Sequence, residues 1–230
     1  MKLGKRLKQI ESMVTAKYDH IWDCCCDHGL LGAALLFRQA APYIHFVDIV
    51  PELMKQLESK LFRFYPENSK LKSHSQWQVH CMDTSTIPLH KFNGKHLIII
   101  AGVGGDLMTE LVKMIFQKHP TADIDFLLSP IHHQFALRQQ LIEFDFGLHT
   151  EALISENQRF YEILLVSPKK HSSCLTINPV GNLIWQSHTP EGLKNITDYL
   201  AKTLAHYQRI QLNYQSEVQH IIEAYGAVAI

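Results

Sequence analysis

Across residues 21–168, short apolar runs of strand length alternate with helical patterns, and this alternation constrains the fold more than any other feature of the chain. "IWDCCC" precedes "LLGAALLFRQ", "YIHFVDI" precedes "PELMKQLESKLFRF", "HLIIIAG" precedes "GDLMTELVKMIFQK", and "DIDFLLS" precedes "HHQFALRQQLIEF", with "QWQVHCM" as a further strand between them. Strands joined through helices pair in parallel and are covered on both faces, so the pattern predicts an α/β fold. "GLHTEALIS" and "NQRFYEILLVSP" follow each other without a helix and predict an antiparallel pair at one end of the sheet. The expectation is a Rossmann-like, mostly parallel sheet of seven strands. Right-handed crossovers would gather the carboxyl ends of the parallel strands on one edge, where such sheets bind ligands.

Past this region the pattern changes. Residues 168–192 are punctuated by Ser, Asn, Pro and Gly and read as a linker with one short hairpin. Residues 193–225 lack Gly and Pro, and Leu193, Leu200, Tyr207, Tyr214 and Ile221 recur every seven residues, which predicts one long amphipathic helix or two, coiled-coil-like. The division expected is a Rossmann-like domain over residues 1–167 and a linker with a helical extension over 168–230. The opening segment carries a helical stripe of Leu3, Leu7, Ile10 and Val14, with Lys2, Lys5, Arg6 and Lys8 elsewhere on its surface. That basic face is either simply solvated or a grip for phosphates.

With 22 Lys and Arg against 22 Asp and Glu, the overall charge gives no support to nucleic-acid binding, so any RNA contact needs a local basic face. No apolar run reaches bilayer length and the amino terminus does not resemble a signal peptide; a cytoplasmic location is the expectation. The five cysteines show no CxxC spacing, which fits reduced thiols rather than a disulfide framework.

Three adjacent cysteines, Cys24 to Cys26, suggest a metal or thiol site at first sight. Consecutive strand residues point to opposite faces, so they cannot converge on a tetrahedral ion, and no metal is expected. "IWDCCCDHGLLG" reads better as a strand ending in a tight turn whose helix presents free amides to a ligand. Asp48 ends the second strand some twenty residues later, where a carboxylate can accept both hydroxyls of a ribose. Asp83 follows the third strand, placed either to meet an adenine amino group or to form a turn. Gly102, Gly104 and Gly105 after the fourth strand allow backbone to approach a ligand closely.

Taken together these residues resemble the bacterial tRNA (adenine-22-N1) methyltransferases, the TrmK family of S-adenosylmethionine-dependent Rossmann-like enzymes. The resemblance runs through most of the chain. It rests on "KRL" near the start, "DCCCDHGLLG" against the family's Asp-Ile-Gly-Ser-Asp-His-Ala-Tyr-Leu-Pro, "IAGVGG" against Ile-Ala-Gly-Met-Gly-Gly, "SP" with "LRQQL", and "EALISENQRFYEILLVSP". It implies S-adenosylmethionine as cofactor, with contacts from Asp23, Cys25, Asp27, His28, Gly29, Asp48, Ile49, Met82, Asp83, Ala101, Gly102 and Gly104. It also implies tRNA as partner, for which Lys2, Lys5, Arg6 and Lys8 are the candidate phosphate contacts, with the carboxyl-terminal helix as an outer clamp. This chain departs from the family at Cys25 in place of glycine, at Leu30 in place of tyrosine, and at "SPIHH" in place of Gln-Pro-Asn.

Adenine N1 has a lone pair and no proton, so its methylation needs alignment and exclusion of water rather than a general base. Asp27 and His28, at the mouth of the predicted site, are the candidate catalytic pair, positioning the base or shaping the field around the sulfonium. The Asp/Asn-Pro-Pro-aromatic wall usual for amino-group methylation is absent, which weighs against N6 chemistry. A diverged module that binds RNA or a partner without catalysis is the competing reading, favoured by Cys25 and Leu30. A dinucleotide-dependent oxidoreductase is disfavoured by the missing glycines and the antiparallel sheet end.

Overall fold

A computed structural model describes residues 3–66, 75–168, 174–214 and 217–230. The order is α1 (Lys5–Met13), β1 (His20–Cys24), α2 (Leu30–Phe37), β2 (Tyr43–Asp48), α3 (Pro51–Phe64), β3 (Gln76–Cys81), β4 (His96–Ala101), α4 (Gly105–Lys118), β5 (Ile124–Ser129), α5 (Gln134–Glu143), β6 (Phe146–Glu156), β7 (Arg159–Pro168), β8 (Leu175–Thr176), α6 (Pro190–Tyr214) and α7 (Gln219–Gly226). The strands form one sheet in the order β3-β2-β1-β4-β5-β7-β6-β8. The first five pair in parallel and the last three antiparallel.

The predicted architecture is present, with one correction: the sheet has eight strands, not seven. The extra strand is only Leu175–Thr176, paired with Gly147 and Leu148 of β6. Two residues are too few for any alternation to show in the sequence. The stretch read as a linker is also packed, since Ile177, Val180, Ile184 and Trp185 are buried. Residues 193–225 divide into two helices, α6 and α7, and the two pack against each other.

The Ile run of β4 shows why the sheet is covered on both sides. Leu97 and Ile99 face a core shared with α1, α2 and α3, while Ile98 and Ile100 face a core under α4 and α5. α3 starts with a proline, carries Glu52 in its first turn and Arg63 in its last, and buries Met54, Leu57 and Leu61 along one stripe. Proline preset for a helix start and charges that oppose the helix dipole explain its limits.

Two polar assemblies lie inside this frame. On one face of β1 to β4, His20 Nε2 donates to the Asn93 carbonyl at 3.2 Å, which leaves His20 Nδ1 to accept from His45 Nε2 at 3.0 Å. His45 Nδ1 then accepts from His80 Nε2 at 3.0 Å. Beside this chain Trp22 Nε1 donates to His96 Nδ1 at 3.2 Å, so His96 Nε2 donates to the Phe92 carbonyl. His20, His45 and His96 must each be neutral, because each uses one ring nitrogen as an acceptor.

The second assembly ties the carboxyl-terminal extension to the sheet. Arg138 of α5 is fully buried and lies 2.7 Å from both Glu151 of β6 and Glu162 of β7. Glu151 Oε1 also accepts from the Asn182 and Leu183 amides at 2.6 Å, and Glu162 Oε1 accepts from the Tyr199 hydroxyl of α6. Around it Phe135, Trp185, Ile196, Tyr199 and Tyr225 form an apolar cluster.

Candidate active site

β3, β2, β1 and β4 are consecutive neighbours, so the loops after them meet on one edge. The chain reverses direction across the sheet between β1 and β4, the position at which open α/β sheets form a ligand crevice. The turn after β1 is tight: Cys25 has φ 55°, Asp27 φ 50° and Gly29 φ 66°. Left-handed backbone at a residue with a Cβ is disfavoured by roughly 1–2 kcal/mol, so position 25 is one where glycine is favoured. Cysteine therefore occupies this position under strain. Its Sγ lies 3.8 Å from Thr84 Oγ1.

Asp48 sits where the sequence places it, at the end of β2. Its Oδ2 accepts from the Asp27 amide at 3.0 Å and its Oδ1 from the Val50 amide at 3.1 Å. A carboxylate offers about four lone-pair positions, so each oxygen retains acceptor capacity for a hydroxyl. Ile49 beside it is 66% exposed, an apolar surface on an otherwise polar edge. Met82 donates its amide to the Asp48 carbonyl at 3.0 Å, which brings the β3 loop alongside. Asp83 accepts from the Ser85 amide at 2.8 Å, capping a short 3₁₀ turn.

Asp23 is placed differently from its neighbours. It is buried and its Oδ2 accepts from the Gly32 amide at 2.7 Å, anchoring the first turn of α2. Burial pushes its carboxyl up to about 7, against the pull of the Gly32 bond, and Asp48 adds to the rise. Asp27 and His28 are exposed at the mouth, with His28 Nε2 3.7 Å from Asp27 Oδ1. The thiols of Cys24, Cys25 and Cys26 are all raised, chiefly by burial.

The loop after β4 lies on the same edge. Gly102 has φ 90°, and a Cβ added there would meet only Arg6 Nη2, at 3.7 Å. Ala101 is half-buried and Gly104 precedes α4. A Cβ on Gly105 would strike the carbonyls of His132 and His133 at 2.8 and 2.6 Å, so this glycine lets the loops after β4 and β5 pack backbone to backbone.

Of the basic residues, Lys2 lies outside the described residues, and Lys5 and Lys8 are exposed on α1. Arg6 instead turns towards the edge, stacking 4.7 Å over the Tyr161 ring and facing Gly102. Arg6 is therefore part of the site's wall, which the charge pattern alone did not distinguish from its neighbours. Thr84 is a further site neighbour that sequence reasoning missed, and His132 belongs to the "SPIHH" stretch already singled out. Thr84 directly follows Asp83, whereas His132 reaches Gly104 only through packing.

Among the described residues no helix is long and apolar enough to cross a membrane, and no group of three His, Cys, Asp or Glu is arranged to hold a metal ion.

A protein-family model described as a methyltransferase domain matches residues 3–164. No curated protein matches the chain. Among solved structures, M. capricolum TrmK in complex with S-adenosyl-homocysteine is similar at 16% identity, over 98% of this chain and 97% of that one, with a TM-score of 0.73. B. subtilis TrmK, an m1A22 tRNA methyltransferase, is similar at 19% identity over 98% and 97%, with a TM-score of 0.63. An uncharacterized protein from Listeria monocytogenes serotype 4b is similar at 20% identity over 98% of both chains, with a TM-score of 0.72. At these identities the likeness establishes the fold.

Proposed function

Because the chain belongs to the methyltransferase-domain family, we propose that it transfers a methyl group from S-adenosylmethionine to N1 of an adenine in tRNA. The observation that carries this reading is the shared edge of β3, β2, β1 and β4, where Asp48, the Cys25–Gly29 turn and the Gly102 loop come together. The described residues fit the cofactor: Asp48 has acceptor capacity for ribose hydroxyls, Ile49 offers an apolar face for a base, and Gly102 has no side chain to obstruct the loop, with φ 90° and Arg6 Nη2 as its near neighbour. The cofactor supplies an electrophilic methyl group on a cationic sulfur. Asp27, Asp48 and Asp83 crowd negative charge onto this edge, a field that favours a cation, and 1-methyladenine is itself cationic. Met82 and Asp83 flank the adenine side of the pocket, and residues 101–104 allow close backbone approach on the other.

Asp27 and His28 position the incoming base. N1 is occupied in a Watson–Crick pair, so the nucleotide enters unpaired or flipped, at about a few kcal/mol for a paired base. The structural relatives support the choice of tRNA, since two of them are tRNA adenine-22 methyltransferases or carry that enzyme's name. The test is methylation of unmodified tRNA transcripts with labelled cofactor, followed by nucleoside analysis. The expected product is 1-methyladenosine. Asp27→Ala should lower turnover by about 10- to 100-fold, as for loss of a positioning group, and weaken cofactor binding by much less, because the Asp27 amide bond to Asp48 is kept. Unchanged turnover would remove Asp27 from the mechanism, and no methylated nucleoside would leave the non-catalytic module as the reading.

Lys5 and Lys8 supply phosphate contacts from α1. Removing two contacts should reduce the slope of log affinity against log salt by about 1.4–1.8. Filter binding of Lys5→Ala/Lys8→Ala with tRNA over a salt series checks this, and an unchanged slope would place the RNA elsewhere.

A further inference from the structure

The three adjacent cysteines draw attention, but the thiol with chemical support lies at the opposite edge of the sheet. We propose that Cys174 is a nucleophilic thiol, served by Ser167, His149 and Asp125, that forms mixed disulfides with small disulfide compounds. Cys174 is half-buried, just before β8. Its Sγ lies 3.7 Å from Ser167 Oγ, and Ser167 Oγ lies 2.9 Å from His149 Nε2. The sulfur is also 3.7 Å from His149 Nδ1 and 3.8 Å from Nε2.

The backbone is shaped for this arrangement. In the β6–β7 ladder Leu148 pairs with Val166 and Thr150 with Leu165, so His149 is the extra residue of a bulge. Bulges re-aim one side chain at the expense of a ladder bond and are over-represented beside reactive sites. Behind the imidazole, Asp125 is buried. Its Oδ2 is engaged by Lys95 Nζ at 2.8 Å and the Tyr18 hydroxyl at 2.9 Å. Among the described residues its Oδ1 has no hydrogen-bond partner, and it faces His149 Nε2 at 3.6 Å. A proton arriving at Nε2 therefore meets the Asp125 carboxylate at ion-pair distance.

The other four cysteines lack this environment. Cys24, Cys25 and Cys26 are held as thiols by burial, with acids rather than bases nearby. Cys81 is exposed, but its Sγ bonds to the Ile49 carbonyl. Nucleophilic reactivity belongs to the thiolate, so the thiol with an imidazole within reach is the one that reacts.

The step balances as a thiol–disulfide exchange. The Cys174 proton passes through the Ser167 hydroxyl to His149 Nε2, and the thiolate sulfur attacks one sulfur of the incoming disulfide. That S–S bond breaks, a Cys174 mixed disulfide forms, and the departing thiolate takes the proton from His149 as a free thiol. The disulfide is reduced and Cys174 is oxidised, with no further reactant.

The test uses the full chain and oxidised glutathione, with peptide mass spectrometry following adduct formation at each cysteine. Cys174 is expected to react at least about tenfold faster than Cys81, and His149→Gln to slow Cys174 by at least about tenfold with the Cys81 rate unchanged. Ser167→Ala, which removes only a hydroxyl, should slow Cys174 in the same direction and serves if His149→Gln does not fold. Equal rates at Cys81 and Cys174, or a Cys174 rate indifferent to both substitutions, would overturn the proposal.

Discussion

Arg138→Ala is expected to destabilise the protein by about 3–5 kcal/mol, the range found when one partner of a buried ion pair is removed. The reason is specific to the site: the substitution leaves Glu151 and Glu162 buried without a cation. Tyr199 and the amides of Asn182 and Leu183 offset part of that charge but carry none of their own. Glu151 and Glu162 lie on β6 and β7, and their other partners belong to the segment before α6 and to α6 itself. Local opening should therefore begin in the extension. Urea unfolding measures the loss, and limited proteolysis should show earlier cleavage within residues 174–189 than in the wild-type chain. A change below about 1 kcal/mol, the usual worth of an exposed pair, would show that water reaches the cluster.

Acidification should be nearly as damaging. His45 is lowered to about 2, first by burial and then by its histidine neighbours His80, His20 and His96. His96 is lowered to about 4, by burial and His20, with the Phe92 carbonyl and Asp19 opposing and His119 adding to the fall. His20 and His80 are lowered in the same direction, chiefly by burial. A histidine whose folded value lies below its unfolded value contributes stability above about pH 6.5 and loses it as pH falls, because only the unfolded chain takes up the proton. Between pH 7 and pH 5, His45 and His96 alone remove about 4 kcal/mol. Urea midpoints at those two pH values provide the check. The midpoint should fall steeply with acid, and a flat profile would mean that His45 and His96 are not neutral as their hydrogen bonds require.

Neither assembly is legible in the sequence, for physical reasons. His20, His45 and His80 stand 25 and 35 residues apart, and only the parallel register of β1, β2 and β3 aligns their rings. Arg138 lies in "LRQQLIEF", where it looks like a surface cation, because the acids that neutralise it belong to two other strands. What could be read was local or periodic: the βα alternation, the antiparallel end, and the placement of Asp48, Met82, Asp83 and Gly102 at strand ends. The turn after β1 was legible as a turn, but its strain was not, since Cys25 gives no sign of a left-handed backbone. Asp23 shows a similar limit. Its position was predicted, while its burial under α2 follows from the close approach of Gly32.

These findings leave Cys25 as the residue on which the functional reading turns. Its backbone favours glycine, its thiol touches Thr84, and both lie where the cofactor is proposed to sit. Calorimetric titration of the intact protein with S-adenosylhomocysteine tests this most directly, alongside Cys25→Gly and Asp48→Ala. One-site binding in the micromolar range is predicted, tighter in Cys25→Gly and lost in Asp48→Ala. No detectable binding by the wild-type chain at millimolar ligand would contradict the account.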